Sequence, residues 1–203
     1  SEGHLSTYRM FCPDIPDMKG VKNFAGDFKK SESEERMSTP KLTGNIIAHW
    51  EAHAKGMKTV GFAVNVAHSH HLTDAFNQAG HRFAHLDGGT DKRERKRIIQ
   101  AYAKDEIDGI FNVGLFGEGF DLSAIAQTDT TIDALIDAAP TQSLSAVIQR
   151  WGRVLRPKRD GSKGVILDHA GNAFYRHGFP DDERSWTLPV SYTHLTLPTT
   201  ERV

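Results

Sequence analysis

The chain has 203 residues, of which 38% are hydrophobic and 25% are charged, and its formal net charge is −1 at pH 7. This composition is that of a globular protein with one good hydrophobic core, and it excludes a fibrous or disordered chain. A net charge near zero also excludes a broad basic field for nucleic acid. The single cysteine, Cys12, rules out an internal disulfide and favours a reducing, cytoplasmic location. No apolar run approaches the length of a membrane span, so we expect no membrane partner.

The first forty residues show little periodicity. The segment Tyr-Arg-Met-Phe-Cys at 8–12 predicts one strand, whereas the mixture of charges, Gly, Pro and Ser over 13–40 predicts irregular structure. Thr39 and Pro40 are typical of a helix start, and four apolar residues follow at helical spacing: Ile46, Ile47, Trp50 and Ala54. We therefore predict a leading segment over residues 1–40 and a domain over residues 41–188.

Short apolar runs and amphipathic segments alternate after residue 58. The predicted strands are 58–64, 82–86, 108–113, 131–138 and 164–168, and the predicted helices are 66–79, 92–104 and 143–151. Because strands that alternate with helices form mostly parallel sheets, we predict an α/β fold with helices on both faces of the sheet. The acidic tetrad Asp105-Glu106-Ile107-Asp108 falls between a helix and a strand, and we interpret it as a turn.

The end of the helix predicted at 143–151 carries the pattern Q-x-x-G-R-x-x-R, formed by Gln149, Gly152, Arg153 and Arg156. The three-residue spacing places both guanidinium groups on one side of a helical turn. Arginine is always charged, and its planar fork of donors suits phosphate oxygens. Gly152 leaves room for close backbone approach. An amphipathic helix with surface arginines is the alternative interpretation, and the pattern alone does not decide between them.

A glycine-rich loop, NVGLFGEGFD at 112–121, follows the strand predicted at 108–113. Gly114, Gly117 and Gly119 allow this loop to approach a nucleotide or a nucleic-acid backbone. Asp121 is an acceptor suited to a ribose hydroxyl or to an arginine. The alternative is a flexible connection between a strand and a helix.

Together, in this order and at this separation, the two patterns resemble motifs V and VI of superfamily-2 helicases, the DEAD/DEAH-like group. The resemblance covers roughly residues 5–188 and looks closest to phage and bacterial members. It implies a RecA-like domain of the P-loop NTPase type, the second of the two in such a motor. The chain lacks the phosphate loop G-x-x-x-x-G-K-[S/T]. An N-terminal RecA-like domain of the same protein would therefore bind ATP and hold most of the Mg²⁺ coordination.

The resemblance also implies roles for individual residues. Arg156 would be the arginine finger, with Arg153 and Gln149 beside it at the γ-phosphate. The implied ATP contacts are Gly117, Gly119, Asp121 and Gly152. The implied contacts to a nucleic-acid strand, DNA rather than RNA, are Asn65, His68, Gly88, Gly89, Thr90, Gly114 and Leu115. Both arginines are expected beside the 117–121 loop, at the edge of the sheet where the strands end.

Two other functions remain open: a non-catalytic nucleic-acid-binding module, and the motor segment of a restriction enzyme. His68, His70 and His71 adjoin one another but cannot all face one ion, so no metal site is predicted. Residues 189–203 contain Thr and Pro without an apolar period and resemble a translated sequencing adapter, and we expect them to lie outside the fold. Residue 1 is Ser, so the chain is expected to begin within a longer protein.

Overall fold

The computed structural model describes residues 6–13, 16–115, 122–158 and 161–184. Its six main strands are β1 (Tyr8–Phe11), β4 (Thr59–Ala63), β5 (Phe83–Leu86), β6 (Gly109–Asn112), β7 (Ala134–Ala138) and β8 (Gly164–Asp168). They form one parallel sheet in the order β1-β8-β7-β4-β6-β5. Two further strands, β2 (Asn23–Phe24) and β3 (Asp27–Phe28), form a separate antiparallel hairpin. The predicted non-native tail at 189–203 lies outside the described residues.

Helices connect the strands on both faces of the sheet. They are α1 (Lys30–Met37), α2 (Pro40–His53), α3 (Val66–Gln78), α4 (Lys92–Ala103), α5 (Leu122–Ala126) and α6 (Leu144–Val154), and a π-helical turn spans Ala173–His177. Connections between parallel strands are right-handed, which places α2 and α3 on one face and α4, α5 and α6 on the other. The predicted α/β fold, with a mostly parallel sheet between two layers of helices, is confirmed.

Polar side chains cap the start of the connecting helices α2, α3, α4 and α6. The capping oxygens belong to Thr39, Asn65, Asp91 and Ser143, and each accepts a hydrogen bond from a backbone N–H of the first turn. The predicted helix start at Thr39 and Pro40 is confirmed, and Ile46, Trp50 and Ala54 lie in the core.

The central strands are buried along their whole length, which explains their continuous apolar runs. Gly61 in β4 is needed because a Cβ at this position would collide with the ring of Phe111 in β6. The tetrad 105–108 lies in the turn between α4 and β6. There Asp105 pairs with Lys58 and Asp108 pairs with Arg82, so its interpretation as a turn is confirmed.

The first forty residues are more ordered than the sequence predicts. The expectation of irregular structure over 13–40 is wrong for the hairpin and for α1, whose Met37 is completely buried. The hairpin is fastened to the main sheet because Asp27 accepts hydrogen bonds from the Thr141 hydroxyl (2.5 Å) and the Gln142 backbone N–H (2.7 Å). In addition, β1 pairs with β8. The domain therefore begins well before residue 41.

Candidate functional site

Helix α6 carries the two arginines to the edge of the sheet where the strands begin. Its buried face consists of Val147, Trp151 and Val154. Arg153 in its last turn and Arg156, just beyond its end, line one pocket of about 120 Å³, which we call the arginine pocket. Its other lining residues are Leu122, Ser123, Asp129, Thr130, Thr131, Ile132, Pro157 and Lys158. The structure therefore brings the two arginines of the sequence pattern to one place.

The expected position of the arginines at the opposite edge of the sheet is wrong. The carbonyl of Arg156 accepts a hydrogen bond from the Ser6 hydroxyl (2.9 Å), just before β1 begins. Nearby, Lys158 Nζ donates to the carbonyl of Asp133 (3.3 Å), just before β7. The rule that places sites where strands end applies to residues that directly follow a strand. These arginines follow a helix, and that helix returns the chain to the edge where the next strand starts.

The predicted ATP-binding residues are only partly described. Gly117, Gly119 and Asp121 lie outside the described residues. Leu122, the first described residue after them, lines the arginine pocket. Gly152 lies in α6, where a Cβ would meet no atom within 4 Å. Gln149 lies one turn before Arg153, with its Nε2 3.5 Å from Ser145 Oγ.

Most of the predicted nucleic-acid contacts lie at the other edge, where the strands end. Six of the seven follow the adjacent strands β4, β6 and β5 in exposed or half-buried positions: Asn65, Gly114, Leu115, Gly88, Gly89 and Thr90. Arg95 holds the turn after β5 by donating to the carbonyls at positions 87, 88 and 90. Gly114 has a φ of 64°, a conformation that favours glycine. The structure thus places these six residues along one edge.

His68, the seventh predicted contact, is buried. Its side chain is 0% exposed, and its Nδ1 accepts a hydrogen bond from the Val64 backbone N–H (3.3 Å). Burial, with a smaller contribution from His71, lowers the pKa of His68 to about 4. A neutral, buried ring has no surface to offer a nucleic-acid strand, so this prediction is wrong. Instead, His68 closes the turn between β4 and α3.

The burial of His68 predicts a loss of stability in acid. Its pKa is lowered on folding, so between about pH 6.5 and pH 4 the unfolded chain binds a proton that the folded chain does not, and stability falls as the pH falls. From about pH 7 to pH 5 this difference amounts to about 2 kcal/mol. Urea unfolding of the chain and of His68→Gln at both pH values measures it, because glutamine does not titrate. The variant should lose less stability, and equal losses in the two proteins would contradict the assignment.

A buried acid pair fastens α6 to the sheet where β7 and β8 end. Asp137 accepts hydrogen bonds from Arg150 Nη1 (3.1 Å), Trp151 Nε1 (3.2 Å) and Asn172 Nδ2 (3.0 Å). Burial, and then the neighbouring Asp137, raise the pKa of Asp168. This network sets the position of α6 and therefore of its arginines. Sequence reasoning missed it, although Asp137 is the lone charged residue of its apolar strand.

The neighbouring histidines have separate partners. The ring of His70 lies against that of His85, with centroids 4.0 Å apart, and Nε2 of His71 lies 2.9 Å from the Thr43 hydroxyl. Over residues 6–13, 16–115, 122–158 and 161–184, no group of three His, Cys, Asp or Glu side chains is placed to hold a metal ion. Within the same residues, no helix combines the length and apolar character needed to span a membrane.

The parallel sheet, its strand order and its two helical layers define a RecA-like domain. Residues 38–158 match the family described as helicase conserved C-terminal domain. Since this match covers more than half of the chain, the protein belongs to that family. The chain is a RecA-like domain of the kind found as the C-terminal domain of superfamily-2 helicases.

The chain is similar to parts of much longer proteins. A 51.5 kDa protein of a Lactococcus phage (isolate 7-9) is 26% identical over 182 residues, which cover 90% of this chain and 38% of that protein. A Saccharomyces cerevisiae protein named "Putative ATP-dependent helicase IRC3" is 30% identical over 158 residues, or 76% of this chain and 22% of that protein. The chain thus spans well under half the length of either relative.

A solved structure shares the fold. It is a fragment of a "putative HsdR subunit of a type I restriction enzyme" from Vibrio vulnificus YJ016, with a TM-score of 0.64 at 18% identity. The likeness covers 89% of this chain and 35% of that chain. At this identity it supports the fold alone.

Proposed function

We propose that this chain is the second motor domain of an ATP-dependent nucleic-acid helicase or translocase. The observation that carries the proposal is the arginine pocket, where Arg153 and Arg156 meet beside Leu122, the residue that follows Asp121. In the full-length protein this pocket faces ATP and Mg²⁺ held by the N-terminal RecA-like domain. Membership of the helicase C-terminal family supports this arrangement.

The proposed chemistry is electrostatic. During phosphoryl transfer, negative charge spreads over the oxygens of the γ-phosphoryl group. Arg156 acts as the arginine finger on these oxygens, with Arg153 beside it and Gln149 near the attacking water. The open space over Gly152 lets the nucleotide approach the helix. Gly117 and Gly119 let their loop close, and Asp121 accepts a hydrogen bond from the ribose or from an arginine.

Nucleic acid is proposed to bind the opposite edge of the sheet. A strand, DNA rather than RNA, contacts the turns after β4, β5 and β6 through Asn65, Gly88, Gly89, Thr90, Gly114 and Leu115. Helix α6 spans the sheet from this edge to the arginine pocket, and the Arg150–Asp137 ion pair joins it to β7. A shift of the arginines on ATP hydrolysis would therefore move the nucleic-acid edge as well.

The isolated chain should not hydrolyse ATP, because it lacks the phosphate loop, whereas the full-length protein should do so when nucleic acid is added. Steady-state ATP turnover of the two, with and without single-stranded DNA, tests this. Turnover by the isolated chain would contradict the half-motor assignment. A full-length protein that binds DNA without turnover would support a non-catalytic binding module, and a nuclease domain in the same protein would support a restriction-enzyme motor.

A further inference from the structure

A groove of about 770 Å³ opens at the edge where the strands end. Its floor is formed by the ends of β4, β6 and β7, including Val64 and Gly114. Its walls are the hairpin β2–β3 and the first turn of α1. We call it the hairpin groove. Its volume is within the range of small-ligand sites, about 300–1,000 Å³.

The groove lies at the point in the sheet where the connections between strands change direction. Strand β4 leads into α3 on one face, whereas its neighbours β6 and β7 lead into α5 and α6 on the other face. In parallel α/β sheets, ligands bind in the crevice that opens at such a point. The region that matches the helicase family begins at residue 38, so the hairpin and α1 lie outside it. The walls of this groove therefore lie outside the region that the family model matches.

The wall formed by α1 has the features of an anion site. No side chain caps the start of α1, so the positive end of the helix faces the groove without a capping acceptor. Ser33 also lines the groove. It is 1% exposed, and its Oγ has no hydrogen-bond partner among the described residues. A buried hydroxyl without a partner is unfavourable unless a ligand satisfies it. Lys30 adds an exposed positive charge at the same turn.

The acidic side chains near the groove are engaged elsewhere. Asp27 accepts hydrogen bonds from the Thr141 hydroxyl and from the backbone N–H groups of Gln142 and Phe28. Glu32 pairs with Lys29 at 2.9 Å. The positive charge of Lys30, together with the donors of Ser33 and of the first turn of α1, favours an anion such as a phosphate.

The hairpin wall adds an aromatic platform. Phe24 is 74% exposed, which is unusual for so large an apolar side chain, and it lines the groove. The hairpin that carries it is held by Asp27 and by Arg176, whose guanidinium lies 5.1 Å from the centre of the Phe28 ring. Exposed rings on such supports stack with bases in proteins that bind single strands. A ring and an anion site in one groove together match a base and its phosphate.

We propose that the hairpin groove binds a nucleotide of a single strand lying along this edge of the domain. Its base stacks on Phe24, and its phosphate accepts hydrogen bonds from the first turn of α1, from Ser33 Oγ and from Lys30 Nζ. This inference rests on the proposed nucleic-acid function and adds contacts that the helicase-family region does not contain.

The test uses the 203-residue chain and two labelled strands of about 12 nucleotides, one of thymidylate and one abasic with the same backbone. Fluorescence anisotropy gives the dissociation constants. Phe24→Ala should weaken binding of the thymidylate strand about tenfold and leave the abasic strand unchanged, because only the stacked base is lost. Phe174→Ala is the matched control, since Phe174 is 67% exposed and does not line the groove.

Two further variants test the proposed phosphate contacts. Ser33→Ala should weaken both strands several-fold while the melting temperature stays equal or rises, because the variant removes a buried hydroxyl that lacks a partner. A purely structural role for Ser33 would lower the melting temperature instead. Lys30→Ala should weaken both strands and reduce the slope of log affinity against log salt by about one. Lys96→Ala, an exposed lysine on α4, is its control.

The outcomes separate the two proposals. If the unsubstituted chain binds neither strand, the nucleic-acid role of this domain is overturned and the groove assignment fails with it. If binding persists unchanged in Phe24→Ala and Ser33→Ala, only the groove assignment fails. Competition by inorganic phosphate or AMP as effective as that by unlabelled thymidylate strand would assign the groove to a small phosphate ligand and overturn its assignment to a strand.

Discussion

Replacing Arg156 with alanine in the full-length protein should lower nucleic-acid-stimulated ATP turnover by about 10³-fold or more. The expected cause is the loss of a charge that stabilises the γ-phosphoryl group mainly in the transition state, so the affinity for ATP should change little. Steady-state kcat, together with the Kd for a fluorescent ATP analogue, separates the two effects. Arg153→Ala should lower turnover similarly and also weaken ATP binding, because Arg153 is half-buried in the arginine pocket whereas Arg156 is exposed.

The matched control for this experiment is Arg93→Ala. Arg93 is an exposed arginine on α4 and does not line the arginine pocket, so its loss should leave turnover unchanged. Near-normal turnover in Arg156→Ala would remove Arg156 from the catalytic site. An equal decrease in both variants would show that the effect is general rather than local.

Replacing Trp151 with alanine should lower the free energy of unfolding of the chain by about 3–5 kcal/mol. Trp151 is 1% exposed, packs α6 against the sheet and donates its Nε1–H to Asp137 Oδ2 at 3.2 Å. Because a typical domain is stable by only about 5–15 kcal/mol, this loss is large. It would also release the helix that carries Arg153 and Arg156.

Trp151→Phe separates packing from hydrogen bonding. The variant keeps most of the apolar ring and loses the N–H donor, while Asp137 Oδ2 keeps the bond from Asn172 (3.0 Å). We expect it to cost less than the alanine variant, about 1–3 kcal/mol. Urea unfolding followed by circular dichroism gives both values. Equal losses in the two variants would contradict a role in packing, and no loss in either would contradict the anchoring of α6.

The sequence predicts the central sheet well, because buried parallel strands are continuous apolar runs and the helices between them have a clear period. The runs at 58–64 and 164–168, for example, lie within a residue or two of the observed strands. The hairpin and α1 are missed because the hairpin strands have two residues each and α1 buries only Ser33 and Met37. Their stability comes from distant partners such as Thr141, which no local pattern reveals.

The candidate site is likewise predicted from the sequence only in part. The arginines are found because their sequence pattern is a local property, and the structure brings them together in one pocket. The edge of the sheet at which the arginines lie is predicted wrongly, because it depends on the direction in which α6 runs. His68 is mistaken for a surface residue because its burial is a tertiary property. The hairpin groove joins Phe24 to Gly114, residues far apart in sequence, and only the folded chain shows it.

The most direct test of the central claim is a structure of the full-length protein with a single strand and a non-hydrolysable ATP analogue. We expect the guanidinium groups of Arg153 and Arg156 to lie within hydrogen-bond distance of the γ-phosphate, about 2.7–3.2 Å. The strand should cross the edge of this domain where β4, β5 and β6 end. A closed complex in which both arginines face solvent, away from the nucleotide, would contradict the account.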